Sequence, residues 1–208
     1  MNWNFQNSYT ELPSIYYSNG KPDNFYNPRL LLFNTELANE LNLNINNNER
    51  EICNFLLGKK LDKIDFFSQA YAGHQFGHFT ILGDGRALLL GEHLNNNKRF
   101  DIQLKGSGQT AYSRNGDGKA TLGPMIREYL VSEAMHHLKI PTTRALAVIT
   151  TGEKVLRDKL EPGAILVRVA KSHIRVGTFQ FGSLLKNPYD FEKLISYTIK
   201  RLFPEIEN

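Results

Sequence analysis

Cysteine is nearly missing from this chain: its 208 residues contain one, Cys53. A single thiol excludes an internal disulfide and any cysteine-built zinc site, and it fits a reducing, cytoplasmic compartment. Cys53 lies in the apolar stretch ICNFLL, a setting for a buried structural thiol rather than a nucleophile. No apolar run approaches the ~20 residues needed to cross a bilayer, so no membrane role is expected. The opening residues, MNWNFQNSYTELP, lack a basic segment followed by an apolar one, so no signal peptide is expected. Basic runs interleaved with aromatics are also missing, which argues against nucleic acid as a partner.

What is there suits an ordinary globular chain: 41% hydrophobic and 22% charged residues, with length for one large domain or two small lobes. The net charge of +4 is unevenly spread. Residues 98–175 carry 14 Lys/Arg against 7 Asp/Glu, whereas residues 1–97 carry 7 against 10. The positive excess coincides with a glycine-rich centre and suits a polyphosphate ligand.

Hydrophobic spacing predicts the elements. Residues 1–30, rich in Asn, Tyr, Ser and Pro, read as an extended surface arm anchored by aromatics such as Trp3, Phe5 and Tyr16. A helix is expected from about Thr35, capped by Asn34 or Thr35, and a second from Glu49 to Leu57, ended by Gly58. Residues 66–82 show no clear period. After the turn Gly83-Asp84-Gly85-Arg86, two strands (Ala87–Glu92 and Arg99–Lys105) join through Asn95-Asn96-Asn97. An amphipathic helix is predicted over Leu122–Leu138, with Leu122, Ile126, Tyr129, Leu130, Met135 and Leu138 as its apolar face and Pro141 as its stop. Strands follow at Ala145–Thr150, Lys154–Arg157 and Ala164–Ala170, then a helix over Phe191–Leu202 stopped by Pro204. The class is α+β.

Several short motifs are ordinary when taken singly. Gly106-Ser107-Gly108 lacks the third glycine of a dinucleotide loop and the Lys-Ser/Thr pair of a Walker loop. Asn115-Gly116-Asp117-Gly118 opens like a calcium loop but lacks the rest of its spacing, and reads as a turn. His74 and His78 lie four apart, yet Gly73 and Gly77 disfavour the helix that a metal pair would need. His136 and His137 fit a helix C-terminus as dipole-compensating residues. Lys105 ends a strand, and Glu128 sits among apolar neighbours on the next helix, where an inward-leaning carboxylate needs a cation. Arg168 and Arg175 alternate with apolar residues in LVRVAKSHIRVG, either as salt-bridged core-edge residues or as phosphate clamps.

Taken together, AYAGHQFGHFT (70–80), LGDGRALLLGE (82–92), the run from Asp101 to Val148 and GAILVRVAKSHIRVGTFQFG (163–182) resemble one family, the selenoprotein O (YdiU) protein adenylyltransferases. The resemblance implies a protein-kinase-like fold that binds ATP in an inverted orientation. It further implies transfer of AMP to Ser, Thr or Tyr hydroxyls of protein substrates. By motif it carries over ATP-binding roles to Gly83, Gly85, Arg86, Lys105, Asp117, Gly118, Arg168 and Arg175, with Glu128 as the ion-pair partner of Lys105.

It also implies a division into an N-terminal arm with helices (1–65), a nucleotide-binding lobe (66–182) and the start of a helical second lobe (183–208). The family's catalytic aspartate and metal ligands are expected beyond residue 208, so no catalytic or metal-binding residue is assigned here. Mg or Mn is expected for the complete enzyme. The chain alone is expected to be inactive, with a second chain as one source of the missing lobe. A non-catalytic ATP-binding module or an inactive remnant remains the alternative.

Overall fold

The structure, a computed structural model, describes residues 2–43, 45, 48–59, 61, 65–75 and 77–206. In chain order the elements are β1 (Phe5–Gln6), β2 (Tyr17–Gly20), β3 (Arg29–Phe33), α1 (Thr35–Glu40), α2 (Glu49–Leu56), β4 (Phe66–Gln69), β5 (Ala72–Gln75) and β6 (His78–Ile81). Then come β7 (Ala87–Asn95), β8 (Lys98–Lys105), α3 (Leu122–His137), β9 (Arg144–Leu156), β10 (Leu160–Ala170), α4 (Val176–Gly182) and α5 (Pro188–Leu202). Among the described residues, eight strands form one antiparallel sheet in the order β2-β4-β7-β8-β10-β9-β3, with β1 also on β7; β5 and β6 form a separate hairpin. This is the expected α+β arrangement of a kinase-like N-lobe.

The sheet is buried on both faces because its central strands alternate between two apolar sets. Leu88, Leu90, Ile102, Leu104, Ile165 and Val167 point to one side, where Leu37, Leu41, Cys53 and Leu56 of α1 and α2 cover them. On the other side, Ala164 and Leu166 meet Met125 of α3. Further along that side, Phe67 and Leu89 meet Tyr9, Tyr16, Phe181 and Leu194. Between these two clusters the same face turns polar: Asp101, Gln103 and Lys105 of β8 alternate with Ile102 and Leu104. The register sets Arg168 of β10 opposite Gln103.

Local chemistry explains the element ends. Asn34 accepts from the Leu37 N–H and caps α1 as expected, and Asn48, not singled out from the sequence, does the same for α2 from the Glu51 N–H. The β7–β8 turn is closed by Asn95 and Lys98, and its two central residues, Asn96 and Asn97, adopt φ of 49° and 60°, which asparagine tolerates. Glu133 anchors α3 to β9. Its carboxylate takes the Arg144 guanidinium at 2.9 Å, the Ala145 N–H at 2.9 Å and Asn34 Nδ2 at 2.7 Å. A buried knot fixes α5 to the sheet: Arg201 bonds Asp101 and lies 3.4 Å from Glu92. Glu92 also takes Arg99 at 2.7 Å, Ser8 Oγ at 2.6 Å and the Tyr9 N–H at 2.7 Å.

Several expectations need correction. The arm does not lie on the surface: β1 and β2 join the sheet, and Tyr9, Leu12, Tyr16 and Phe25 are buried. Residues 30–33, left without an element, form the edge strand β3. The unpatterned stretch 66–82 holds three short strands, whose double-sided burial in β4 erased the alternation. The two strands expected at 145–150 and 154–157 are one, β9, because Gly152 at φ 77° carries a bulge without breaking the pairing with β10. Helix α3 has the predicted extent, capped at Leu138 and followed by Lys139 with φ 63°, but its buried face differs. It buries Met125 and Ser132, whereas Leu130 and Leu138, placed on its core face by periodicity, are exposed. Arg175 is not in a strand; it is the residue preceding α4, a helix the sequence reading missed.

Candidate nucleotide cleft

The polar gap on the second sheet face opens into a cleft of ≈ 720 Å³. Seven cationic side chains line it (Arg86, Lys105, Arg114, Lys119, Arg157, Arg168 and Arg175) against two carboxylates, Asp84 and Asp117. All eight residues that the family resemblance marks for the nucleotide lie on its wall: Gly83, Gly85, Arg86, Lys105, Asp117, Gly118, Arg168 and Arg175. They come from the 83–86 turn, the end of β8, the 106–121 loop, β10 and the start of α4.

Two glycine turns build the walls by docking on each other. The 106–121 loop is closed at its neck by a bridge between Ser107 and Lys119 and by the Gly108 N–H donating to the Gly118 carbonyl at 3.2 Å. Gly118 has φ 65°, and a Cβ there would stand 1.9 Å from the Gly108 carbonyl oxygen, so the neck admits only glycine. The loop then reaches the 83–86 turn. Thr110 Oγ1 donates to the Asp84 carbonyl at 2.7 Å, Ser113 Oγ to the Gly85 carbonyl at 2.6 Å, and Tyr112 packs where a Gly83 side chain would stand. Arg114 of this loop crosses to Gln75 of β5 at 3.0 Å.

The cleft floor is a chain of polar side chains. Lys105 is paired with Glu128 of α3, whose second oxygen accepts from Arg168 Nη1 at 3.2 Å. Arg168 also donates to Gln103, and Gln103 Nε2 donates to Asp84 at 3.1 Å. Asp84 faces Arg175 at 3.4 Å, and the Arg175 guanidinium lies 4.2 Å above the Tyr71 ring. The α3 helix thus supplies one carboxylate to two cations, which places their charges side by side on the cleft floor.

Burial and pairing set the ionisation. Burial pushes the Glu128 carboxyl up, but its bond to Lys105 and the Arg168 charge outweigh that and hold it below the usual carboxylate range. Burial, with Arg168 beside it, pulls Lys105 below an ordinary lysine despite the Glu128 pairing. One carboxylate thus faces two cations, and the cleft lining carries an excess of cationic side chains suited to a polyanion.

Asp117 is taken by Arg157 in a two-point pair at 2.9 and 3.0 Å, which keeps its carboxyl low. The residues alone placed Asp117 in a turn, the family resemblance gave it a nucleotide role, and neither found Arg157, whose place at the end of the β9 hairpin carries no local signal. Asp84, Gln103 and Tyr71 were missed as well. The alternation in RFDIQLK marks Asp101, Gln103 and Lys105 as one face, and the flanking glycines mark Asp84 as a residue of the turn. His74 stacks edge-on against Phe79 across the β5–β6 hairpin. Among the described residues, no group of three or more His, Cys, Asp or Glu is placed to hold a metal ion. The two cleft carboxylates are bound to arginines, so they do not fit a divalent cation. No described helix is long and apolar enough to cross a membrane.

A family model described as protein adenylyltransferase SelO matches residues 1–208. Proteins named protein nucleotidyltransferase YdiU are similar along almost the whole chain. Those of Clostridium perfringens (strain SM101) and Pelagibacter ubique are 56% and 54% identical over 209 residues, each match covering 99% of this chain and 43% of the relative. That of Brevibacillus brevis is 57% identical over 208 residues, 99% of this chain and 42% of its own. The chain therefore spans less than half the length of the curated relatives it matches.

Proposed function

Because the chain belongs to the SelO family of protein adenylyltransferases, we propose that its cleft seats ATP for the transfer of AMP to Ser, Thr or Tyr hydroxyls of proteins. The observation that carries this reading is the convergence of Lys105, Arg168 and Arg175 on one cleft whose walls are the two glycine turns. A triphosphate lying there meets three fixed cations, two of them braced by Glu128.

The reaction explains why charge gathers at that place. The acceptor hydroxyl oxygen forms a bond to the α-phosphorus while the bond from that phosphorus to the β-bridging oxygen breaks. Pyrophosphate leaves with the electron pair, and the hydroxyl proton passes to a base. Negative charge grows on the departing β and γ groups, where Lys105, Arg168 and Arg175 stabilise it before any solvent needs to reorganise. Neither Asp84 nor Asp117 is proposed as the base, since each is committed to an arginine. The family's divalent cation would bind at residues other than these. The contribution proposed for residues 1–208 is therefore the nucleotide seat, with residues 183–208 beginning the second lobe.

Radiolabel separates the chemistries. Incubation of a family member that carries this cleft with α-labelled and then γ-labelled ATP should label protein only from the α position, and Lys105→Ala should abolish it. Labelling from the γ position would turn the assignment to phosphoryl transfer.

A further inference from the structure

The most deeply buried charge in the cleft has no task in the reading above. Asp84 is 3% exposed, and its two carboxylate oxygens serve different partners. Oδ2 accepts from the Gln69 N–H at 3.2 Å and from Gln103 Nε2 at 3.1 Å. Oδ1 faces Arg175 Nη2 at 3.4 Å. The residue's backbone is fixed too: its N–H donates to the Gln69 carbonyl at 2.9 Å, and its own carbonyl accepts from Thr110 Oγ1 at 2.7 Å.

An aspartate between two glycines in a turn ordinarily faces water and bonds its own backbone. This one is withdrawn from water at a desolvation cost, which pushes its carboxyl up, and the Arg175 and Arg168 charges, with the Gln69 N–H bond, work against that rise. Arg175 is the more exposed party, with a side chain 36% exposed. Asp84 bonds its edge while the Tyr71 ring lies against its plane at 4.2 Å. Edge and face together orient the guanidinium, whose Nε also donates to the His173 carbonyl at 3.4 Å, on the wall of the cleft.

We infer that Asp84 is a positioning residue that aims Arg175 at the outer phosphates, so that the site discriminates a nucleoside triphosphate from a monophosphate. The inference rests on the cleft being the ATP seat. It opposes a second role for the same contact, in which Asp84 competes with phosphate for Arg175.

Asp84→Asn tests it with little change of shape. An asparagine whose oxygen faces Gln69 and Gln103 keeps both of those bonds and turns its NH2 toward Arg175, donor against donor. Calorimetric titration with ATP and with AMP then reads the preference between them, and melting curves verify folding. Asp84→Asn should lower the ATP-over-AMP preference about tenfold, the scale of one charge-assisted contact, while leaving AMP affinity in place. In an Arg175→Ala background the same substitution should change the preference little, because its effect runs through Arg175.

Equal weakening of ATP and AMP, tighter ATP binding, or an undiminished effect in the Arg175→Ala background would each overturn the inference. If the unaltered protein shows no preference for ATP, the proposed function falls and the inference with it. A normal preference that Asp84→Asn does not alter sinks the inference alone. Should Asp84→Asn fail to fold, Arg175→Lys carries the test. It keeps the charge but loses the fork, and should lose the preference as fully as Arg175→Ala; a retained preference would refute the positioning role.

Discussion

Removing the Glu128 carboxylate strands two cations at once. Its oxygens hold Lys105 and Arg168, and the three side chains are only 28%, 18% and 15% exposed. Glu128→Ala leaves an ammonium and a guanidinium adjacent in a half-buried gap with no counter-charge. Breaking a buried pair from one side costs about 3–5 kcal/mol, and partial solvent access at this site scales that to roughly 2–3 kcal/mol. For a domain of this size each kcal/mol moves Tm by about 2–4 °C, so a fall of about 5–10 °C is expected.

Glu128→Gln, which keeps an acceptor for one cation, should lose roughly half as much. The pH dependence has a definite sign. The folded carboxyl is held below its unfolded value, so its stabilisation is complete above about pH 4.3 and is lost as pH falls through the folded value. The gap between the unaltered protein and Glu128→Gln should therefore narrow in acid. Thermal melts followed by circular dichroism from pH 7 downward measure it. Equal Tm for the unaltered protein and Glu128→Ala at pH 7, or a gap that widens in acid, would refute the reasoning.

Other outcomes follow from the same geometry. Arg201→Ala removes a cation shared by the buried Glu92 and Asp101 and should cost about 3–5 kcal/mol, read by urea denaturation. Gly118→Ala cannot keep φ 65° with a Cβ against the Gly108 carbonyl, so the loop neck should open. Its signature is faster amide exchange across 106–121 with slow exchange retained in β8. The Cys53 thiol is pushed up to about 11 by burial, with Glu49 adding to the shift. It should resist thiol reagents at pH 8 and react at the rate of global unfolding.

Legibility in the sequence followed the range of the interactions. Caps, the Asn96-Asn97 turn and the helices with strong local signals were readable because the deciding contacts lie within a few residues. The arm was misread because Tyr9 and Tyr16 are polar-tipped aromatics whose burial depends on Phe67, Phe181 and α5, far along the chain. The face of α3 was misread because its orientation is set by the Glu133–Arg144 anchor, not by the spacing of Leu130 and Leu138. Lys105 and Glu128 were candidates from strand end and helix edge alone, and the family motifs made them partners. Asp84 and Gln103 escaped because a buried polar side chain is defined by what packs over it, and the exposed Arg157 because its partner, Asp117, lies far along the chain.

The central claim is that this cleft grips a triphosphate through Lys105 and its arginine neighbours, and direct titration of the 208-residue chain with ATP tests it most simply. The account predicts saturable binding of one ATP, weakened at least about tenfold by Lys105→Ala. ATP bound equally well by Lys105→Ala would contradict it, as would no binding by a chain whose melting curve shows it folded.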